Sequence, residues 1–385
     1  MGNNRITVLF VFGTRPEAIK MAPVIQACER YPDRFDSRIC VTAQHREMLD
    51  QALGFFGIQP HYDLDVMIKK QSLPNLTALA LTGVTRVMER EVPDVVCVQG
   101  DTTTTLVAAQ AAFYLKIPIA HIEAGLRTNN KYSPFPEEIN RRLTSVMSDF
   151  HFAPTEGARE NLLAEGFDAS SIFVTGNTVI DALEWALKKQ NTTETHEKWR
   201  KWFLSEHGVS LANHVKTILV TGHRRESFGK GFQRICRALQ IVARDNHDVR
   251  ILYPVHLNPH VQEPVYSLLG NMENIHLLPP LDYEPFIFLM SQSHIILTDS
   301  GGIQEEAPTL GVPVLVMRDT SERPEGIAAG SARLVGTNVE TIVTEIGRLL
   351  TDRNAYQRMA DVANPYGDGK AGERIVDILS QQMRR

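Results

Sequence analysis

The sequence predicts an α/β protein made of two doubly wound parallel-sheet domains. Three observations carry that reading. Short, β-branched apolar runs alternate with amphipathic segments along nearly the whole chain. The 385 residues exceed one ordinary core and suit two or three domains. The alternation halts once, near residue 188, and then resumes. Hydrophobic residues at 43% and charged residues at 22% are ordinary for a globular chain, which excludes disorder, collagen and coiled coil as the main architecture. Lys+Arg 40 against Asp+Glu 45 gives a net charge of −5, so no global cationic surface exists for nucleic acid. A local basic pocket for one small anion remains open.

The elements follow in order. Residues 6–12, 37–42, 95–99, 118–122 and 150–153 are nearly continuous apolar runs, as strands covered on both faces require. Residues 16–30, 44–56 and 102–115 show helical spacing between them. The stretch KKQNTTETHE at 188–197 is polar and lacks an apolar period, so it reads as a domain edge. A second strand series lies at 217–221, 249–253, 275–278, 295–298, 312–316 and 333–335. Asn364-Pro365-Tyr366-Gly367 breaks the chain before a last helix near 370–383. The expected domains are 1–180 and 190–365, with 366–385 returning to the first. Doubly wound sheets bind ligands at the carboxyl ends of their strands, so a central cleft faced by both domains is expected.

The four cysteines, Cys28, Cys40, Cys97 and Cys236, form no C-x-x-C pair and read as buried free thiols of a reducing compartment. The apolar run at 6–12 is too short to span a membrane and lacks a cleavage pattern. A cytoplasmic location is expected. No metal signature appears: His256 and His260 are spaced i,i+4, but Asn258-Pro259 interrupts the helix such a pair would need.

Motifs at strand ends carry the chemistry. After the first strand, Gly13 permits a tight turn, Pro16 opens a helix and Glu17 complements its dipole. Arg15 then either holds a phosphate or faces water, and Lys20 lies one turn on. Asp101 in Gly100-Asp101-Thr102 fits an N-cap or a catalytic acid equally. Glu123 leaves the next strand, either paired with Arg127 or acting as a general base. Glu137 and Glu138 open a helix as dipole partners, or one of them joins Asp101 and Glu123 in an acid/base cluster. His223 follows the first strand of the second series and is either a bystander or a proton and phosphate partner. Ser300, Gly301 and Gly302 expose N–H groups at a helix start, an anion site or a simple Gly-rich turn, and Glu306 follows one turn later. This turn is neither G-x-G-x-x-G nor a P-loop, which weakens NAD and ATP readings.

Taken together, FGTRPEAIKMAP (12–23), TAQHREMLDQ (42–51), QGDTTTTL (99–106), HIEAGLRT (121–128) and YSPFPEEINRRL (132–143) form a set. It continues with TGNTVIDAL (175–183), TGHRRESFG (221–229), DSGGIQEEAP (299–308) and ERPE (322–325). The chain resembles the bacterial non-hydrolysing UDP-N-acetylglucosamine 2-epimerases, in order, from about residue 5 to its end. The resemblance implies two Rossmann-like domains facing a central cleft, a glycosyltransferase-B-like fold, with UDP held by the second domain. It implies reversible C2 epimerisation of UDP-GlcNAc to UDP-ManNAc through anti elimination of UDP to 2-acetamidoglucal and re-addition. It implies no cofactor, neither NAD nor metal, and a homodimer; the charge balance and the short apolar runs already argue against nucleic-acid and membrane partners.

By the same resemblance Asp101, Glu123 and Glu137 match the acid/base carboxylates, and His223 matches the histidine aiding UDP departure. Arg15 and Lys20 match residues near the phosphates and sugar. Ser300, Gly301 and Gly302 match the diphosphate cradle, Glu306 the ribose binder, Arg323 a nucleotide contact and Phe286 an aromatic near uracil. Leu281 replaces the family's usual Gln, which leaves only a backbone contact to uracil there. Gln44, His45, Gln71, Arg224 and His256 match a second, activating UDP-GlcNAc site, although the surroundings of Gln71 depart from the usual pattern. A glycosyltransferase of the same fold, or a hydrolysing 2-epimerase, is the alternative.

Overall fold

The computed structural model describes residues 5–43, 46–66, 71–211 and 215–383. The chain divides into two compact units, Met1–Ala182 with Tyr366–Arg385, and Leu183–Pro365. In chain order the first unit holds β1 (Ile6–Phe12), α1 (Arg15–Glu29), β2 (Phe35–Val41), α2 (Arg46–Phe56), β3 (Tyr62–Asp63), α3 (Leu73–Glu91) and β4 (Val95–Gln99). It continues with α4 (Thr103–Leu115), β5 (Ile119–Ile122), α5 (Glu137–Met147), β6 (Phe150–Ala153), α6 (Glu156–Ala164), β7 (Ile172–Val174) and α7 (Thr178–Gln190). The division falls inside α7. The second unit holds α8 (Thr193–His207), β8 (Lys216–Thr221), α9 (Lys230–Asp245), β9 (Val249–Pro254), α10 (Pro259–Leu269), β10 (Ile275–Leu278) and α11 (Tyr283–Ser291). It ends with β11 (Ile295–Thr298), α12 (Gly301–Glu306), β12 (Val314–Val316), α13 (Pro324–Ala329), β13 (Ala332–Leu334), α14 (Val339–Thr351) and α15 (Arg353–Ala360). The last helix, α16 (Ala371–Gln382), belongs to the first unit.

Each unit is one parallel sheet. The first runs β3-β2-β1-β4-β5-β6-β7 and the second β10-β9-β8-β11-β12-β13. Strand order reverses between β1 and β4 in one and between β8 and β11 in the other. These are the switch points at whose carboxyl side open α/β sheets present ligand crevices. The sheets are buried on both faces: Val8 through Phe12 are fully buried, as are Ile218, Leu219 and Val220. Burying each such side chain contributes about 1.5–3 kcal/mol relative to exposure. The covering helices are amphipathic. In α9, Phe232, Ile235, Cys236, Leu239, Val242 and Ala243 form one buried stripe at helical spacing.

The polar stretch at 188–197 is not a simple edge. It spans the end of α7 and the first turn of α8, whose buried face begins only at Trp199 and Phe203. Thr192 caps α8, accepting from Thr195 N at 3.1 Å. The two-residue β3 and three-residue β7 are too short to show a period in sequence. Among the described residues no helix is long and apolar enough to cross a membrane. All four cysteines are buried and unpaired, and burial pushes the Cys28, Cys40 and Cys236 thiols up to about 12.

The turn after β5 depends on Gly125. Its φ is +90°, and an added Cβ would stand 2.2 Å from the Ala158 carbonyl oxygen on α6. Backbone cannot yield as a flexible side chain does. Gly125→Ala should therefore cost about 2–4 kcal/mol from strain and overpacking together. Calorimetry would show a lower unfolding temperature.

Candidate active site

In the first unit, the switch point is tied by Glu17. This carboxylate is 2% exposed. One oxygen accepts from Gly13 N at 3.1 Å, Thr14 N at 2.8 Å and Thr14 Oγ1 at 2.7 Å. The other accepts from Thr102 Oγ1 at 2.7 Å and Thr105 Oγ1 at 3.2 Å. Burial raises its pKa, against the hydrogen bonds from Thr102, Thr14, Gly13 and Thr105 that pull it down. Glu17 thus joins the loop after β1 to the loop after β4, well beyond the dipole partner that its sequence position suggests. The threonine run gains a reason: Thr102 and Thr105 hold Glu17, while the Thr104 hydroxyl lies 2.8 Å from that of Thr42. Gly13 is required by space rather than by an unusual turn, since an added Cβ would stand 2.1 Å from Thr42 Oγ1 and 2.6 Å from Thr104 Oγ1.

Asp101 is not the N-cap of α4. Thr102 is, accepting from Thr105 N at 3.2 Å. The Asp101 carboxylate instead bonds the Arg141 guanidinium, and its carbonyl accepts from Asn140 Nδ2 at 2.9 Å. Burial holds the Asp101 carboxyl above its ordinary value. Arg141 opposes the shift, and nearby Glu123 and Glu137 reinforce it. Glu123 does not pair with Arg127. Arg127 bonds Glu165 at 2.8 Å, whereas Glu123 takes Lys20 Nζ at 2.5 Å on Oε1 and Gln99 Nε2 on Oε2. Asn177 Nδ2 approaches the same Oε1 at 3.5 Å. Glu123 adopts φ +63°, a left-handed backbone uncommon for a non-glycine residue, at the point where the chain leaves β5.

The two glutamates opening α5 divide their roles. Glu138 is buried and accepts from Thr128 N at 3.0 Å, Asn129 N at 3.1 Å and Arg142 Nε at 3.1 Å. Burial would raise its carboxyl, but these donors hold it below the usual range. Glu137 is close enough to influence Asp101. The first unit therefore brings Lys20, Asp101, Glu123 and Glu137 into one electrostatic cluster.

In the second unit, Asp299 plays the part of Glu17. It is 1% exposed, and its Oδ2 accepts from His223 N and Arg224 N, each at 2.8 Å. Its Oδ1 lies 3.2 Å from His223 Nδ1. Burial raises the Asp299 carboxyl, yet the His223 side chain and the two amides outweigh it and hold it below the ordinary value. The Nδ1 side of the His223 ring thus faces the Asp299 carboxylate, and the side chain remains partly exposed. Its ring stacks on His256 at 5.6 Å, and His256 is held by Asn258 N at 3.1 Å. Arg224 follows on the same loop.

Ser300 precedes α12, whose first residues are Gly301 and Gly302. Arg323 bonds Glu305, and its guanidinium would lie 3.6 Å from a Cβ at Gly301. The arginine thus packs over the glycine turn. Glu306 ends α12, and Phe286 and Leu281 lie in and just before α11, each half-buried. Arg15 opens α1, and Gln71 lies just ahead of α3. Gln44 and His45 lie outside the described residues. Among the described residues no group of three His, Cys, Asp or Glu is placed to hold a metal ion.

A family model described as UDP-N-acetylglucosamine 2-epimerase matches residues 26–380. The chain belongs to this family. A Yersinia pestis UDP-N-acetylglucosamine 2-epimerase is 56% identical over 97% of this chain and 98% of its own. The enzyme of that name from Escherichia coli K12 is 54% identical, also over 97% of this chain and 98% of its own. The crystal structure of Neisseria meningitidis UDP-GlcNAc 2-epimerase bound to UDP-GlcNAc is 50% identical. It superimposes with a TM-score of 0.91 and covers 98% of this chain and 100% of the other.

In this member of the epimerase family, Gln99, Arg141 and Asn177 hold the carboxylates of the first unit's cluster, and Asp299 holds the loop after β8 in the second, without having been singled out in sequence. Gln99 and Asp299 carried one visible signal, a polar residue closing or just following a buried strand. Asp299 also gives a pH test. Its folded pKa is depressed, so its stabilisation is complete above the ordinary aspartate value of about 3.9 and is lost as pH falls through the lower folded value. Asp299→Asn should cost about 1–3 kcal/mol at neutral pH. Its denaturant midpoint should also fall less steeply than the parent's between about pH 5 and pH 2.5.

Proposed function

We propose that the chain is an isomerase that interconverts UDP-GlcNAc and UDP-ManNAc without net hydrolysis. A carboxylate removes the C2 proton while the C1–O bond breaks. The electron pair of C2–H becomes the C1=C2 bond of 2-acetamidoglucal, and UDP leaves with the C1–O pair. UDP then adds back to C1 as a proton reaches the opposite face of C2. Atoms and electrons balance without an oxidant, so the step calls for no redox cofactor such as NAD, and the proposed reading assigns no role to a metal.

The observation that carries this reading is the carboxylate cluster. Lys20 Nζ stands against the Glu123 carboxylate, and Asp101 is held above its ordinary value, by burial first and with Glu123 and Glu137 adding to it. Carboxylates in such unlike surroundings suit the division of acid and base roles. Glu137 completes the set. His223, backed by Asp299, assists departure of UDP, whose diphosphate charge grows in the transition state. Ser300, Gly301 and Gly302 cradle the diphosphate beside Arg323, Glu306 takes the ribose hydroxyls and Phe286 lies by uracil. Arg15 and Lys20 add positive charge from the first unit. The UDP-GlcNAc bound in the Neisseria relative supports the same substrate class.

Incubation with UDP-GlcNAc in D2O, read by NMR, tests this. Deuterium should appear at C2 of both sugars. Transfer to an acceptor without C2 exchange would indicate a glycosyltransferase, and free ManNAc as the main product a hydrolysing enzyme. Glu123→Gln should lower turnover by about 10²–10⁴-fold, the scale of a lost general base, with UDP binding nearly unchanged. Unchanged turnover would remove Glu123 from the mechanism.

We further infer a second, activating UDP-GlcNAc site using Gln44, His45, Gln71, Arg224 and His256. The His256 ring stacked on His223 supports direct coupling between such a ligand and the catalytic histidine. UDP-ManNAc alone should react with a lag that a trace of UDP-GlcNAc abolishes.

The unpaired thiols fit a cytoplasmic setting. A homodimer is supported by exposed apolar side chains on α4 and α5, namely Phe113, Tyr114, Ile139, Leu143 and Val146, the last 73% exposed. Leu143→Glu with Val146→Glu should shift sedimentation from dimer to monomer while leaving the fold intact.

A further inference from the structure

The second sheet has a charged cavity at the end opposite its switch point. About 650 Å³ in volume, it is lined by Arg200, Lys216, Arg250, His294 and the apolar Leu211 and Val215, with no Asp or Glu among the described residues of its wall. Lys216 begins β8, Arg250 is the second residue of β9, and His294 immediately precedes β11. These are amino-terminal strand ends. His223 and Asp299 follow the carboxyl ends of β8 and β11, four to six residues along the strands. At about 3.3 Å per residue, some 13–20 Å of sheet lies between.

Arg250 makes this cavity unusual. It is 8% exposed, yet its guanidinium has no ion pair or hydrogen bond among the described residues, and Nη1 is sealed from solvent. A guanidinium does not escape burial by losing its proton. A buried charge without a partner is among the costliest arrangements in a protein, and partners of opposite sign are the normal remedy. Here the wall supplies only more positive charge. Lys216 Nζ gives one proton to the Leu350 carbonyl at 2.6 Å and keeps two. The His294 ring is fixed by stacking on Tyr356 at 4.2 Å, with Nε2 buried and unpartnered.

We propose that this cavity is a binding site for a small phosphorylated molecule, a phosphate monoester or diphosphate, whose anionic group neutralises Arg250 and is shared with Lys216 and Arg200. Arginine forks match phosphate oxygens in a bidentate fashion, and lysine adds a point charge. Leu211 and Val215 offer an apolar wall to the rest of the ligand. The volume exceeds a lone orthophosphate, so a carrier group fits beside the phosphoryl.

Inorganic pyrophosphate is the probe, titrated calorimetrically into the full chain in chloride buffer with saturating UDP present. One further saturable binding event is expected. Lys216→Gln, at an exposed position, should weaken it by about tenfold or more, the scale of one charge-assisted contact, with the unfolding temperature read alongside. Arg250→Met should abolish it. Without anion, that variant should unfold at an equal or higher temperature than the parent, because a lone buried charge is gone. Absence of the extra event in the parent, or equal affinity in Lys216→Gln, would overturn the proposal. The comparison stands even if UDP does not occupy the first site, since phosphate bound elsewhere is indifferent to Lys216.

Discussion

A buried carboxylate bonded to backbone N–H groups is the interaction on which both halves of the protein rest. At a switch point two neighbouring βα loops diverge, and the amides at their roots lose the ladder that satisfied them within the sheet. Glu17 gathers Gly13 N and Thr14 N on one side and the Thr102 and Thr105 hydroxyls on the other. Asp299 gathers His223 N and Arg224 N. Desolvation opposes both carboxylates, and the outcome differs. In Glu17 burial dominates and the carboxyl is raised. In Asp299 a histidine and two amides prevail and it is lowered. The same device therefore gives a mainly structural clamp in one unit and, in the other, a clamp that also aims an imidazole.

The candidate reactive groups stand on these clamps. Asp101 lies one residue before Thr102, and Glu123 immediately follows β5, the strand next to β4. Fixing the loop after β4 fixes Asp101 against Arg141. Glu123 is held from three directions by Lys20, Gln99 and Asn177. Its left-handed backbone costs of order 1–3 kcal/mol, which surrounding structure must offset. Such expense at one residue is common where a side chain must be aimed rather than merely housed.

Much of the fold was legible because it is local. β1, β4, β6, β10 and β11 fall where continuous apolar runs place them, since a strand buried on both faces writes its full length in side-chain chemistry. The shift of the cap from Asp101 to Thr102 was not legible: both residues cap well, and the choice was made by Arg141, forty positions away. Likewise Arg127 is the near neighbour of Glu123 in sequence, yet Lys20, 103 positions distant, is its partner in space. α8 was hidden because its first turn is polar and its buried face starts late. Spacing reports faces and caps. It does not report which of two nearby charges a distant element will meet.

The last helix carries a consequence for biosynthesis. Gly372 N donates to Asp181 at 2.8 Å, Arg374 reaches the Thr175 carbonyl at 3.0 Å, and the Tyr366 carbonyl accepts from Asn177 N at 2.7 Å. Asn177 in turn touches Glu123. The first unit is thus interrupted in sequence and is closed only by residues that follow the whole of the second unit, Leu183–Pro365. During synthesis the contacts that α16 makes beneath Asn177 therefore wait until the second unit has been made. Removing α16 would leave the second unit's sequence whole and loosen the loop that holds Glu123 in the first.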